Sequence, residues 1–406
     1  MPKHLLLLQA FLIESEASLE QKFTVLKTIV RKTRRIALFM SFYDIYKNYA
    51  KLDIKDFFSR IGEEQILRII GKERLSAEEF LVLLSPVARK YLEHMARKAN
   101  EITQGHFGKV IFLYAPMYLA NYCVNRCVYC GFNIDHGIAR KKLTMKEVEE
   151  ESRSISAQGI RHILLLTGES RKYSPVSYLK ECIEVMRNYF TSISLEVYPL
   201  ETWEYAELII AGADGLTIYQ EVYDEKIYDE VHLAGPKKNY RYRLDAPERA
   251  CQAGMRTVNI GALLGLEDWR QEAFFTGLHA DYLQNKYLNT EISLSLPRLR
   301  PEIGGFQPKH DVDDASLVQI MLAFRLFLPR AGITISTRER AELRDNLIGL
   351  GVTRMSAGSS TEVGGYASKD KTEGQFEVSD DRTIKEITKL IYQKGYQPVF
   401  KDWQCI

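Results

Sequence analysis

The sequence predicts an α/β fold, a closed (βα)8 barrel of the TIM type with an N-terminal helical extension and a C-terminal capping segment. Short β-rich apolar runs alternate with helical apolar repeats between residues 110 and 355. Eight such runs favour a closed barrel over the competing arrangement, a doubly wound open sheet. The first run is not followed by G-x-G-x-x-G, so dinucleotide binding is not supported.

Each predicted element follows from a local pattern. Residues 41–100 carry apolar residues at steps of three and four, typical of amphipathic helices, and Ser76 with Glu79 forms a capping-box signature. Strands are predicted over residues 110–115, 162–167, 192–197, 215–219, 257–263, 291–296, 333–336 and 353–355. Helices are predicted over residues 144–159, 176–189, 202–210, 246–253, 269–285, 315–327, 340–347 and 384–394, with a polar connection over residues 220–243.

These patterns divide the chain into four segments, which are an extension (1–39), a helical segment (40–105), the barrel (106–360) and a capping segment (361–406). Residues 1–39 differ in character from the rest, and Met40 would make a natural start, so we expect an extension without a catalytic role. The apolar run 5–13 is too short to span a bilayer. Acidic residues follow it, where a signal peptide would have small residues.

Composition narrows the functional class of the 406-residue chain. A net charge of +2 leaves no basic footprint, so a nucleic-acid partner is not expected. Three of the six cysteines, Cys182, Cys251 and Cys405, are scattered singly and do not form a disulfide framework. Together with the thiol cluster described next, they predict a reducing, cytoplasmic compartment without membrane association.

The thiol cluster lies between residues 117 and 133, directly after the first predicted strand. Cys123, Cys127 and Cys130 have the spacing C-x3-C-x2-C. Four cysteines would complete a tetrahedral zinc site or ligate every iron of a cubane cluster. Three leave one position of the metal centre open, and an open position is where chemistry occurs.

Two simpler interpretations compete with a catalytic metal centre. His136, six residues after Cys130, could complete a structural Cys3His zinc site. The three thiols could also be buried and bind nothing. Tyr129, directly before the last cysteine, favours a third interpretation, because it gives the loop the form C-x3-C-x-aromatic-C.

Polar residues follow the predicted strands, where the active site of a parallel barrel is built. Taken singly, each carboxylate could be a helix N-cap and each arginine a surface ion-pair partner. Jointly, acidic groups suit a cationic ligand, and arginines on later strands suit a carboxylate. These residues are Tyr118, Glu169, Glu196, Gln220, Glu221, Arg298, Arg300, Arg338 and Ser356.

The cysteine loop resembles that of the radical S-adenosylmethionine (SAM) enzymes, and residues 40–403 resemble the 2-iminoacetate synthase family, the tyrosine lyases of thiazole formation in thiamin biosynthesis. Thr167 departs from the superfamily's Gly-Gly-Glu motif, although the lyases are similar there. The shared motifs are Tyr118-Leu-Ala-Asn-Tyr-Cys, Leu166-Thr-Gly-Glu, Tyr219-Gln-Glu, Gly235-Pro-Lys, Ser295-Leu-Pro-Arg-Leu-Arg-Pro, Ser336-Thr-Arg-Glu, Gly364-Gly-Tyr and Lys401-Asp-Trp.

The resemblance implies a radical SAM lyase that cleaves the Cα–Cβ bond of L-tyrosine into 2-iminoacetate and p-cresol. It further implies a 4Fe–4S cluster with one open iron, SAM, a thiazole synthase partner and a flavodoxin or ferredoxin as electron donor. A tryptophan lyase remains open. A hydrogenase-maturase-type tyrosine lyase would carry three more clustered cysteines, whereas this tail has only Cys405. The distant alternative is a non-catalytic zinc-binding protein.

The resemblance also implies a role for individual residues. The cluster would be held by Cys123, Cys127 and Cys130. Glu169 would contact the amino group of SAM, and Glu196 would contact its ribose. Tyr129 and the Gly261–Leu264 backbone would contact its adenine. The amino-acid substrate would be contacted through its carboxylate by Arg338, assisted by Tyr118 and Ser356, with Arg298, Arg300, Gln220 and Glu221 as looser candidates.

Overall fold

The computed structural model describes residues 40–367 and 372–401. The described residues divide into two units, the first ending at residue 51 and the second beginning at residue 52. The described part of the first unit contains α1 (Phe42–Tyr49), whose N-terminus is closed by a reciprocal capping box between Ser41 and Asp44. The predicted extension over residues 1–39 lies outside the described residues.

The second unit contains a closed parallel barrel, which confirms the predicted (βα)8 fold. Its strands follow one another around the barrel in chain order, and β1 pairs with both β2 and β8. The double pairing of β1 removes the open edges that a doubly wound sheet would have. The strands are β1 (Val110–Ala120), β2 (His162–Thr167), β3 (Ser192–Glu196), β4 (Gly215–Glu221), β5 (Thr257–Ala262), β6 (Glu291–Ser295), β7 (Gly332–Ile335) and β8 (Arg354–Ser356).

Strand β1 is longer than the predicted run over residues 110–115. Its second half pairs in parallel with β2, from Ala115 opposite Ile163 to Tyr118 opposite Leu166, which keeps the chain extended as far as Ala120. Tyr118 therefore lies within the strand. A further short strand, β9 (Gln397–Val399), lies in the predicted capping segment and pairs with the beginning of β1.

Helices surround the barrel, and several begin at capping boxes, such as Ser76 with Glu79 and Thr144 with Glu147. The predicted polar connection after β4 was wrong in part, because Asp224 and Asn239 each cap a short helix there. The helices are α2 (Ile54–Ser59), α3 (Glu63–Ile70), α4 (Ala77–Leu83), α5 (Leu92–Phe107), α6 (Met145–Ala157), α7 (Val176–Met186), α8 (Thr202–Ala211), α9 (Glu225–Val231), α10 (Tyr240–Leu244), α11 (Ala246–Gln252), α12 (Trp269–Lys286), α13 (Asp314–Phe327), α14 (Ala341–Leu347) and α15 (Ile384–Gln393). None of these described helices is long and apolar enough to cross a membrane.

Within the second unit, Phe80 of α4 packs against the outer helices of the barrel. The Phe80 ring on α4 stacks on Phe327 of α13 at 4.4 Å between ring centroids and contacts Phe274 and Phe324. Gly277 on α12 makes room for it, because a Cβ at that position would lie 2.6 Å from the Phe80 Cζ atom. Close packing of α4 therefore requires a glycine there.

Replacing Gly277 by alanine should destabilise the protein, by about 1–3 kcal/mol, because the added methyl group overpacks the Phe80 contact. The matched control is Gly105→Ala in α5, where a Cβ would meet no atom within 4 Å. This variant should be more stable than the wild type by about 0.5–1 kcal/mol in the free energy of unfolding. Thermal unfolding of both variants measures the difference. Equal stability of the two variants would contradict the packing argument.

Candidate active site

The cysteine loop leaves the carboxyl end of β1 and is closed on itself by two polar side chains. Asn121 donates to the Ala139 carbonyl at 2.8 Å and accepts from the Lys141 amide at 2.7 Å. The Arg140 guanidinium donates to the carbonyls of Asn121, Phe132 and Asn133. Buried backbone carbonyls that lack a strand or helix partner are satisfied in this way, so these two side chains fix the shape of the loop.

Strand β2 ends against this loop at Gly168. A Cβ at Gly168 would lie 3.0 Å from the Tyr122 carbonyl carbon and 3.2 Å from the Cys123 Cβ, with the Tyr122 oxygen closer still. The next residue, Glu169, accepts a hydrogen bond from the Asn125 side chain at 2.6 Å, and its carbonyl accepts one from the Val124 amide. The glycine therefore lets β2 bring Glu169 beside the cysteines.

The three loop cysteines line one cavity together with the polar ends of β2, β3 and β4. The cavity contains three carboxylates that the sequence predicted as ligand contacts, Glu169, Glu196 and Glu221, and two cations that it did not assign, Lys237 and Arg243. The lining residues are Cys123, Asn125, Cys127, Cys130, Phe132, Thr167, Gly168, Glu169, Glu196, Val197, Tyr198, Thr217, Ile218, Tyr219, Glu221, Lys237, Arg243 and Gln375.

The thiols fit a multinuclear cluster better than a single ion. Across residues 40–367 and 372–401, no three His, Cys, Asp or Glu side chains converge closely enough to hold one metal ion. A tetrahedral zinc ion requires its ligands at about 2.0–2.3 Å from one centre, whereas a cubane cluster spreads three thiolates over three irons. His136, the fourth ligand in the zinc interpretation, is placed with its Nδ1 atom 3.1 Å from the Gly131 carbonyl.

Burial raises the pKa of two of the three loop thiols. It raises the pKa of Cys127 to about 12 and also raises the pKa of Cys130, whose Sγ atom accepts an N–H hydrogen bond from Gln375. Iron ligation has to displace these protons, so assembly should depend on pH and on the electrostatic support of nearby cations.

A buried ion network lies on the β4 side of the cavity. Glu221 pairs with Lys237 at 2.7 Å and with Arg243 at 3.1 Å, and its backbone has the unusual φ of 71°. Burial alone would raise the pKa of Glu221, but the two cations bring it below the ordinary value. One carboxylate against two cations leaves a local excess of positive charge, which suits an anionic group of a ligand.

Glu196 and Arg338 approach the cavity from β3 and from the loop after β7. Burial raises the pKa of Glu196 to about 7, against the opposing effect of the Arg338 charge. The Arg338 guanidinium lies 3.4 Å from the centre of the Phe376 ring, and no carboxylate of the described residues lies within ion-pair distance of it. Arg338 is thus oriented by an aromatic face with its charge available to a ligand.

A segment near the C-terminal end of the chain crosses the cavity. Gln375 accepts a hydrogen bond from the Tyr118 hydroxyl at 2.8 Å, and its backbone carbonyl packs against Gly131 in the cysteine loop. Phe376, next along the chain, supports Arg338. The sequence does not indicate this segment, because no spacing rule links residues so distant from the cysteines.

Several residues predicted for the substrate have other partners. Arg298 and Arg300 both pair with the buried carboxylate of Glu339, and Arg298 also pairs with Asp314 at 2.9 Å. Neither arginine lines the cavity, so the structure gives both of them a role in fixing the loops after β6 and β7. Gln220 is buried beside the cavity lining, with its amide lacking a hydrogen-bond partner among the described residues.

The remaining predicted contacts, like Tyr118 and Arg338, are not among the residues that line the cavity. The Tyr129 hydroxyl is 2.7 Å from His232 Nε2. Ser356 accepts from the Thr337 amide at 3.0 Å. Gly261 packs against the Ser295 carbonyl, where a Cβ would lie 2.6 Å away, and Leu264 pairs with Arg298 by a backbone bridge.

Comparisons with known proteins agree with this arrangement. Residues 117–276 match the family model of the radical SAM superfamily, and residues 295–397 match the biotin and thiamin synthesis associated domain. The chain is 38% identical over 359 residues to the 2-iminoacetate synthase of Escherichia coli K12, covering 87% of this chain and 95% of that protein. The chain is 39% identical to the 2-iminoacetate synthase of Salmonella typhimurium, and the match covers 83% of this chain and 89% of that protein.

A solved structure shares the same fold. The [FeFe]-hydrogenase maturase HydG superposes with a TM-score of 0.81 at 30% sequence identity, covering 86% of this chain and 79% of that one. The likeness extends over the barrel and the segments that flank it, so the cysteine loop of this chain lies in a scaffold shared with that maturase.

Replacing Gly168 by alanine should impair cluster assembly, because the added Cβ would push the cysteine loop away from β2. We expect several-fold less iron bound per chain after anaerobic reconstitution with iron and sulfide. The matched control is Gly137→Ala, where a Cβ would meet no atom within 4 Å. Full iron content in the Gly168 variant would contradict the packing argument.

Proposed function

Because the chain belongs to the 2-iminoacetate synthase family of radical SAM enzymes, we propose that the cavity lined by its three loop cysteines binds a 4Fe–4S cluster, SAM and L-tyrosine. The enzyme is a radical SAM tyrosine lyase. The observation that carries the proposal is the position of the three thiols in one cavity with Glu169 and Glu196.

A cluster held by Cys123, Cys127 and Cys130, together with SAM beside Glu169 and Glu196, would supply the hydrogen-atom abstraction at the tyrosine amine. The Cα–Cβ bond of tyrosine then breaks, leaving 2-iminoacetate and, after one electron and one proton are added to the phenolic fragment, p-cresol. The protein binds and orients the reactants and excludes water.

The acidic residues suit the cationic cofactor. Glu169, fixed by Asn125, has a carboxylate that can accept hydrogen bonds from the SAM amino group. The pKa of Glu196 is raised to about 7, so its carboxylate is partly ionised at neutral pH and can accept hydrogen bonds from the ribose hydroxyls. Lys237 and Arg243, which the sequence analysis did not assign, provide the positive charge that a SAM carboxylate requires.

The substrate side consists of Arg338, Tyr118 and Ser356. Arg338 can form a bidentate pair with the tyrosine carboxylate, since Phe376 fixes the plane of its guanidinium. Hydrogen-atom transfer from nitrogen requires a neutral amine held near the reacting carbon. Clamping the carboxylate away from that carbon would leave the amine as the nearest group.

The product chemistry implies two partners for this enzyme. The imine hydrolyses in water, so we propose direct use by a thiazole synthase, as expected for thiamin biosynthesis. The electron that activates the cluster comes from an external donor, for which a flavodoxin or a ferredoxin has the appropriate one-electron chemistry.

Arg338→Lys should retain the cluster and SAM cleavage but lose substrate orientation, because an ammonium cannot replace a planar bidentate donor. We expect kcat/KM for tyrosine to fall about 100-fold, equivalent to about 2.7 kcal/mol. The assay contains reconstituted enzyme, SAM, dithionite and tyrosine under anaerobic conditions, with p-cresol and 5′-deoxyadenosine measured by mass spectrometry.

The matched control is Arg340→Lys, two residues along, whose exposed side chain pairs with Asp314. It should form p-cresol at the wild-type rate. A wild-type rate from the Arg338 variant would refute the carboxylate assignment. If the wild-type enzyme formed deoxyadenosine but no p-cresol, tryptophan would replace tyrosine as the proposed substrate. A colourless protein that binds zinc and forms neither product would refute the enzyme hypothesis.

SAM affinity should rise with pH through about 7, because the folded pKa of Glu196 lies there and only the ionised carboxylate accepts from both ribose hydroxyls. The same raised pKa affects the stability of the ligand-free protein. As the pH rises from the ordinary pKa of a glutamate through about 7, ionisation of the buried Glu196 increasingly destabilises the fold. Glu196→Gln should bind SAM more weakly and with a flatter pH profile, measured by anaerobic equilibrium dialysis. Glu291→Gln, at the opposite end of the barrel, is the control, and an unchanged profile in Glu196→Gln would exclude the assignment.

A further inference from the structure

One side chain contacts both the cluster side and the substrate side of the proposed site. Gln375 accepts from the Tyr118 hydroxyl through Oε1 at 2.8 Å and donates from Nε2 to the Cys130 sulfur at 3.6 Å. We propose that Gln375 is a positioning residue that raises the reduction potential of the cluster and fixes the Tyr118 hydroxyl with the same amide. The inference rests on the proposed function only in requiring that Cys130 binds the cluster.

The chemistry of the two partners determines which way the amide points. A cluster-bound thiolate carries no proton and can only accept hydrogen bonds, so it selects the NH2 end of the amide. Tyr118 is 3% exposed, and burial raises its pKa well above the ordinary value, so its hydroxyl remains a donor. The amide oxygen therefore faces Tyr118, which is the orientation observed.

The backbone around Gln375 fixes the place of its side chain. The backbone N–H of Gln375 donates to the Thr361 carbonyl at 3.2 Å, which connects the segment to the loop after β8. Its carbonyl packs on Gly131, where a Cβ would lie 2.5 Å from that oxygen. The segment is thus held next to the third cysteine, and the glycine after Cys130 allows the approach.

A hydrogen bond to a cluster sulfur changes the energy of reduction. The reduced cluster carries one more negative charge than the oxidised cluster, so an N–H dipole directed at a thiolate stabilises the reduced form more. The effect is larger in a buried site, where the dielectric constant is low. Loss of this donor should make the cluster harder for any external donor to reduce.

The test uses the full-length protein, reconstituted anaerobically, with two neutral variants that lack the donor, Gln375→Met and Gln375→Leu. The midpoint potential of the cluster is determined by a redox titration monitored by electron paramagnetic resonance. In both variants we expect the equilibrium constant for reduction of the cluster to fall about tenfold. For a one-electron step this corresponds to a midpoint potential more negative by about 59 mV. The control, Glu377→Gln, lies in the same segment with an exposed side chain and should match the wild type.

Iron content is measured for every variant before the titration. Gln375→Met keeps the length of the side chain, so it decides the question even if Gln375→Leu fails to assemble. A wild-type potential in a fully loaded Gln375→Met variant would overturn the proposal, as would failure of both variants to bind iron, because a tuning hydrogen bond is not needed for assembly. The titration contains no tyrosine, so failure to form p-cresol would count against the lyase function and not against this role.

Discussion

The contact between Gly168 and the cysteine loop is the constraint on which the rest of the site depends. Strand β2 can end against the Tyr122 backbone and the Cys123 side chain only because residue 168 has no Cβ. The approach puts Glu169 within hydrogen-bond distance of Asn125, between the first two cysteines. Protein interiors are close-packed, so a shift of one methyl group here would move both the thiols and the carboxylate.

Charge is distributed unevenly around the cavity. Glu221 is compensated by Lys237 and Arg243, whereas Glu196 is buried with only partial compensation from Arg338. The carboxylates therefore differ in their ionisation although they are close in space. In a low-dielectric cavity, such differences let one site bind the cationic and anionic parts of a zwitterionic ligand.

The segment that crosses the cavity joins parts of the chain that are far apart in sequence. Gln375 contacts Tyr118 on β1 and Cys130 in the following loop, and Phe376 supports Arg338 after β7. A parallel barrel presents the carboxyl ends of all its strands at one face, so a single crossing segment can contact several of them. The residues proposed for cluster, SAM and substrate thus share one structural support.

The sequence by itself determined the closed barrel, the position of the three cysteines and the approach of Glu169 and Glu196, because strand–helix alternation and short-range spacing are local properties. Only the tertiary structure decided which arginines are available to a ligand. Arg298 and Arg300 are engaged by Glu339, whereas Arg338 is stacked on Phe376. It also decided the contacts of Lys237, Arg243 and Gln375, since the direction of a side chain depends on residues distant in the chain, which spacing does not encode.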